Sequence, residues 1–281
     1  MSTPSRPAPA AAACVDCEVY RAARLHKLGL QPGPWDHVVA LAGNPNTGKS
    51  TVFNALTGLR QHTGNWPGKT VARAEGGFAY ADRRFQLVDL PGTYSLLSTS
   101  PDEEVARDFI LFGRPDVTVV VADATRLERN LNLVLQVLEI TERAVVCLNL
   151  IDEAARHGIQ VDERQLTRDL GVPVIATAAR FGRGLPELLA AIAEMAARKV
   201  RGFGYRLSQE PPVIRAALVD LTARIEQAYP GLPNARWIAM RLLGGDERVA
   251  EALRRGELSA LAERAARGSE GVLRESALSA R

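Results

Sequence analysis

The 281-residue sequence is short of several things, and each shortage excludes a class of protein. Three cysteines are too few for a disulfide scaffold. No apolar run approaches the roughly 18 to 20 residues that cross a bilayer, so the chain reads as soluble. The formal charge is only +3, from 35 basic and 32 acidic residues, so no strong global field points to nucleic acid or anionic lipid. Residues 1–13 are rich in Pro and Ala but lack the apolar middle of a signal peptide. They read as a disordered tail, and Cys14 is not read as a lipidation site. A second C-x-x-C is also missing. Cys14-Val15-Asp16-Cys17 is therefore half of a zinc site, a redox pair, or two ordinary thiols on a short helical arm over 18–28. Zinc content of fresh reduced protein separates these readings. Cys147 lies in an apolar run and reads as a small buried hydrophobe.

What is present centres on Gly43-Asn44-Pro45-Asn46-Thr47-Gly48-Lys49-Ser50, set between an apolar strand-like run over 38–42 and a helix-like run starting at Thr51. A glycine-rich loop in that context turns backbone N–H groups inward, where with the helix N-terminus they surround a polyphosphate. In such a loop Lys49 reaches the β- and γ-phosphates and Ser50 ligates Mg²⁺ through its hydroxyl. Residues 58–71 carry two glycines and a proline in Gly64-Asn65-Trp66-Pro67-Gly68-Lys69-Thr70 and read as a mobile loop. Gly68, Lys69 and Val71 flank Thr70, the candidate for a second hydroxyl on Mg²⁺.

Further on, an apolar strand ends in Asp89-Leu90-Pro91-Gly92, placing a carboxylate near the metal's water shell and a flexible N–H near the γ-phosphate. Thr93 follows, where many GTPases carry the Gln that orients the attacking water, so intrinsic hydrolysis is expected to be slow or to use another group. Residues 102–112 read as an amphipathic helix and 117–122 as a buried strand. Residues 127–140 read as a helix whose Leu131, Leu135 and Leu138 face the core. The strand over 144–148 delivers Asn149-Leu150-Ile151-Asp152. An ionised Asp there accepts from N1–H and the 2-amino group of guanine, and adenine offers neither donor. Asn149 is expected to brace the phosphate loop and contact the base edge. A last strand over 172–176 ends at Thr177-Ala178-Ala179, whose backbone N–H groups suit guanine O6, and a helix over 184–198 closes the unit. The alternation is that of a doubly wound, mostly parallel α/β sheet with its ligand at the carboxyl ends of the strands.

These residues together resemble the amino-terminal GTPase portion of the ferrous-iron transporter B family. The resemblance rests on the phosphate loop, on Asn65-Trp66-Pro67-Gly68 with Thr70, and on Asp89-Leu90-Pro91-Gly92-Thr93-Tyr94-Ser95-Leu96. It continues through Asp123-Ala124-Thr125, Leu127-Glu128-Arg129-Asn130-Leu131 and Asn149 to Asp152. It implies a GTP-hydrolysing regulator of ferrous iron uptake. It also implies a K⁺ ion held by Asn46 beside the phosphates, supplying the charge that an arginine finger supplies elsewhere. The stretch after Lys199 is different in character. Pro211-Pro212 opens a helix with Ile214, Leu218, Leu221 and Ile225 on one stripe, and further helices are expected from Asn234, over 247–255 and over 258–278. It resembles the all-α helical domain that follows the GTPase in that family.

The expected organisation is a tail and Cys-containing arm over 1–36, a GTPase domain over 37–200 and a helical domain over 201–281. The resemblance implies GTP and GDP as ligands and a membrane iron permease on another chain as partner. It places the protein in the cytoplasm, peripheral to the inner face of the membrane. The competing reading is a soluble GTPase switch in ribosome or RNA assembly. It would require an RNA-binding module, and the sequence carries no recognisable one.

Overall fold

The computed structural model describes residues 30, 33–58, 61–67, 69–96, 100–197, 211–230, 232, 235–256 and 258. Cys14, Cys17, the arm over 18–28, Gly68 and nearly all of the helix expected over 258–278 lie outside the described residues.

Seven strands form one sheet: β1 (His37–Gly43), β2 (Gln61–Asn65), β3 (Ala72–Tyr80), β4 (Arg83–Asp89), β5 (Val117–Asp123), β6 (Ala144–Asn149) and β7 (Val174–Ala176). Their spatial order is β2-β3-β4-β1-β5-β6-β7. The run from β4 to β7 is parallel, while β2 and β3 pair antiparallel at one edge. The stretch read as a mobile loop therefore contains a strand. Gln61 to Asn65 has little apolar character of its own, and its order comes from the ladder with β3. The expected strand over 172–176 is shorter, beginning at Val174, because Pro173 lacks a ladder N–H and contributes only its carbonyl, to Val146 N.

The apolar runs of β1, β5 and β6 are strands because both of their faces are covered. Side chains alternate between two cores. Val38, Ala40 and Ala42 of β1 enter one, Val39 and Leu41 the other. The second core packs helix α1 (Lys49–Thr57), through Val52, Phe53 and Leu56, and helix α6 (Leu185–Ala197), through Leu188, Ile192 and Met195. The first packs α2 (Pro101–Asp108), the π-turn Phe109–Gly113 and α3 (Leu127–Ile140). Short helices α4 (Ile151–Arg156) and α5 (Glu163–Leu170) follow β6.

Within α3 the expected phase is partly wrong. Leu138 is buried, but Leu135 is 40% exposed, and the buried stripe runs through Leu133, Val134 and Val137 with the polar Asn130 and Gln136. A helix this rich in leucine offers more than one apolar face, and tertiary contacts choose between them.

Helices α7 (Pro212–Ala228), α8 (Ala235–Leu243) and α9 (Glu247–Arg254) make up the described part of the helical unit. Leu218, Ile225, Trp237 and Ile238 belong to the same buried cluster as the first core; Ile214, expected on the apolar stripe, is exposed. Burial holds the Glu139 carboxyl of α3 above its ordinary value, and the Arg241 guanidinium of α8 offsets this only in part. A raised folded-state pKa gives stability that is complete below the unfolded pKa and is lost as pH rises through the folded one. Glu139→Gln keeps the neutral form at every pH. Its melting temperature should match the parent below about pH 4 and exceed it at neutral pH and above. A variant less stable than the parent at pH 8 would contradict this balance.

Candidate nucleotide site

The chain leaves β1 towards the β4 side and, after β4, crosses to β5 on the other flank. Such a reversal opens a crevice at the carboxyl ends of the strands. The loop 44–48 fills it. Asn46 (φ 66°) and Gly48 (φ 78°) are both left-handed, which turns the loop back on itself, and Gly48 caps α1 without any side-chain hydrogen bond. The helix N-terminus thus keeps its positive end for a ligand rather than for a capping side chain. Lys49 opens α1 and directs its ammonium at the Asp89 carboxylate, a direct ion pair at the end of β4. Burial pushes the Asp89 carboxyl up, and Lys49 works against that shift.

The loop after Asp89 lies across the phosphate loop. Leu90 N donates to Leu41 O at 2.9 Å and Thr93 N to Gly43 O at 3.2 Å, and a Cβ added to Gly92 would come into van der Waals contact with Pro45. The buried Thr93 hydroxyl is committed to its own turn, donating to Ser95 O at 2.5 Å and accepting from Ser95 N at 3.2 Å.

Asn149 sits at the end of β6. Its Nδ2 donates to Thr47 O at 3.0 Å, and its Oδ1 accepts from Thr177 Oγ1 and Ala179 N, both at 3.1 Å. One side chain therefore ties the phosphate loop to the loop after β7. Thr177 also bonds the Cys147 thiol, and burial pushes that thiol up to about 12, so it is inert at neutral pH. Leu150 is left-handed (φ 63°), Ile151 N donates to Thr177 O at 3.2 Å, and Ala178 N donates to Arg183 O at 3.0 Å. Asp152 pairs with Arg156 at 2.8 Å, one helical turn on.

Other expected residues stand differently. Ser50 and Thr51 are exposed on the first turn of α1, and Asn46 is exposed at the loop tip. Asn44 is buried, and both polar atoms of its carboxamide lack hydrogen-bond partners among the described residues. Thr70 is exposed before β3, outside the Lys49–Asp89 contact, and Val71 O accepts from Trp66 N at 2.9 Å. Lys69 points to Glu104 of α2 at 2.6 Å. The sequence reading passed over both pairs: the i, i+4 spacing of Asp152 and Arg156 is a local signal that could have found the first, whereas Lys69 and Glu104, 35 residues apart, carry none. The hard oxygen donors of Ser50 and Asp89 at the uncapped end of α1 suit Mg²⁺.

A family model described as "Ferrous iron transport protein B" matches residues 37–192, and one described as "FeoB cytosolic helical domain" matches residues 211–280. The Fe(2+) transporter FeoB of Salmonella typhimurium is 43% identical over 215 residues, covering 74% of this chain and 27% of that protein. The chain thus spans about a quarter of the length of the curated relatives it matches. Among solved structures, the cytosolic domain of T. maritima FeoB in its GMPPNP form is 35% identical with a TM-score of 0.71, covering 85% of this chain and 98% of that one. The FeoB G-domain from Methanococcus jannaschii is 44% identical with a TM-score of 0.52, covering 58% and 98%.

Proposed function

The chain belongs to the ferrous iron transport protein B family, and on that premise we propose that it binds and hydrolyses GTP to regulate ferrous iron uptake through a membrane permease carried outside these 281 residues. No described helix is long and apolar enough to cross a membrane. In this reading the chain acts from the cytoplasm, at the inner face of the cell membrane. The observation that carries this reading is the convergence of the phosphate loop, Asp89 and Asn149 at the carboxyl ends of β1, β4 and β6, with the bond from Asn149 to Thr47 joining two of them.

In this reading Lys49 leaves Asp89 for the β- and γ-phosphates, and the amides of loop 44–48 and of α1 bear the remaining charge. Ser50, Thr70 and Asp89 would hold Mg²⁺, and the ion would supply positive charge against the phosphates. Asn46 would hold K⁺. The Gly92 N–H meets the γ-phosphate, and the loops around Thr70 and Gly92 relax when that phosphate leaves. The Thr93 hydroxyl is occupied by Ser95, so it does not orient water and turnover is slow. The test is hydrolysis by the whole chain, GTP against ATP, with Mg²⁺ in K⁺ or Na⁺ buffer. Slow GTP-selective turnover raised by K⁺ is expected. Equal rates in the two salts remove the K⁺ role of Asn46, and no GTP binding removes the reading.

Asp152 reads the base by accepting from two guanine donors. Asp152→Asn turns one acceptor into a donor and should weaken GTP about tenfold or more while leaving the already weak ATP binding unchanged. Unaltered GTP preference in competition binding would move base recognition elsewhere.

A further inference from the structure

The segment that carries Thr70 is fixed in place by side chains that no motif marks. Trp66 N donates to Val71 O at 2.9 Å and Lys69 N to Trp66 O at 3.0 Å, which closes residues 66–71 into a loop between β2 and β3. Neither bond ties that loop to the rest of the sheet, and β2 is an edge strand of weak intrinsic preference. The tie runs through Trp66. Its side chain is 4% exposed, stands edge-on to Phe109 of the π-turn at 5.4 Å, and has the Arg73 guanidinium 5.6 Å from its ring centre.

Arg73 opens a buried polar chain. Its Nε lies 2.7 Å from Glu75 Oε1, and the two side chains are only 14% and 13% exposed. Glu75 Oε2 accepts from Gln86 Nε2 of β4 at 2.8 Å. One carboxylate oxygen therefore holds the loop side and the other holds β4. A guanidinium and a carboxylate this far from water are tolerated when paired and hydrogen-bonded, and changing one member strands the others. Register sets this chain beside the site. Ala74 pairs with Asp89 and Glu75 with Val88, and the two strands are antiparallel, so β3 starts at the end of β4 that carries Asp89. Thr70 precedes β3 by two residues, outside the Lys49–Asp89 contact, and the base of its loop sets how far its hydroxyl stands from that end.

We propose that Glu75 is a positioning residue for the metal side of the nucleotide site: through Arg73 and Gln86 it fixes loop 66–71 to β4, so that Thr70 is kept at the Asp89 end of the sheet before any ligand arrives. A loop ordered in advance has less conformational freedom to lose when Mg²⁺ and GTP bind. Glu75 itself acts only through the loop. The inference rests on the GTP reading above, and its first measurement needs no nucleotide.

Hydrogen–deuterium exchange over 66–71 is measured on the nucleotide-free whole chain. Glu75→Gln sets the new amide nitrogen against that of Gln86 and leaves Arg73 without its anion, so exchange there should rise about fivefold or more. The double variant Glu75→Gln with Gln86→Glu lets the carboxamide at position 75 accept from Arg73 and donate to the carboxylate at position 86, and should return exchange to within about twofold of the parent. The second measurement is calorimetric binding of a non-hydrolysable GTP analogue across Mg²⁺ concentrations, with GDP in excess chelator as reference. Glu75→Gln should raise the Mg²⁺ needed for half-maximal binding about fivefold and leave GDP affinity within about twofold, and the double variant should restore the parent value. Gln86→Met cuts only the tie to β4 and should move both readouts about twofold or more the same way, which keeps the test open if Glu75→Gln folds poorly. A folded Glu75→Gln or Gln86→Met variant with a lower melting temperature but the parent's Mg²⁺ requirement overturns the proposal, because the network would then serve stability alone. A double variant as defective as Glu75→Gln overturns it too. If Thr70→Ala leaves the Mg²⁺ requirement unchanged, this inference fails while GTP binding stands. A parent that binds no GTP overturns the proposed function with it.

Discussion

Lys49→Ala should weaken GTP binding by roughly a hundredfold or more, about 3 kcal/mol. Two losses add up. The ammonium that would meet the phosphates disappears, and the partner it leaves behind is a buried carboxylate. Asp89 is only 19% exposed, and burial already raises its pKa with Lys49 in place. Without Lys49 that carboxylate faces the anionic ligand with nothing to offset it. The same substitution should lower the stability of the nucleotide-free protein at neutral pH. It should cost much less below about pH 4, where an ordinary Asp is protonated and no buried charge is stranded. Calorimetric titration with GTP and melting at the two pH values check both arms. Retained affinity would refute the placement of the site.

Gly184→Ala should cost about 3 kcal/mol or more of stability, a fall in melting temperature of roughly 6–12 °C for a chain of this size. Gly184 is left-handed at φ 78°, and its carbonyl accepts from Leu188 N at 3.0 Å, starting α6. A Cβ there would lie deep inside the contact radius of the Ala176 carbonyl oxygen and 3.1 Å from Thr177 Cα of the same peptide unit. Both obstacles are backbone, so no rotamer change relieves them. The strand end that must give way carries Thr177 and Ala179, which hold Asn149, so GTP affinity should fall as well. Gly182 provides the control. It is equally left-handed (φ 71°), but a Cβ added to it would meet nothing within 4 Å, so Gly182→Ala should cost only about 1 kcal/mol. Equal losses in the two variants would mean that backbone conformation alone, not the Ala176 contact, sets the effect.

Most of the architecture was legible because its signals are local. The apolar runs of β1, β5 and β6, the glycine-rich loop before α1 and the strand that ends at Asp89 each declare themselves within about ten residues. The alternation of strand and helix then leaves few ways to wind a sheet. The edge strand β2 was missed because pairing with β3 orders residues of weak strand propensity. The exposure of Leu135 was missed because a leucine-rich helix does not disclose its own phase.

The sequence by itself determined which groups are available to this protein: a lysine and a serine after a glycine-rich turn, a carboxylate at a strand end, and an Asn and an Asp at the end of β6. Their local placement is legible because contiguous backbone sets it. Only the tertiary structure decided how they are joined. Asn149 bonds to a carbonyl 102 residues away and Gln136 to an amide 40 residues away. No periodicity encodes such contacts. They exist because two cores set the height and phase of α1 and α3 against one sheet, and the polar side chains then close on whatever that packing brings within reach.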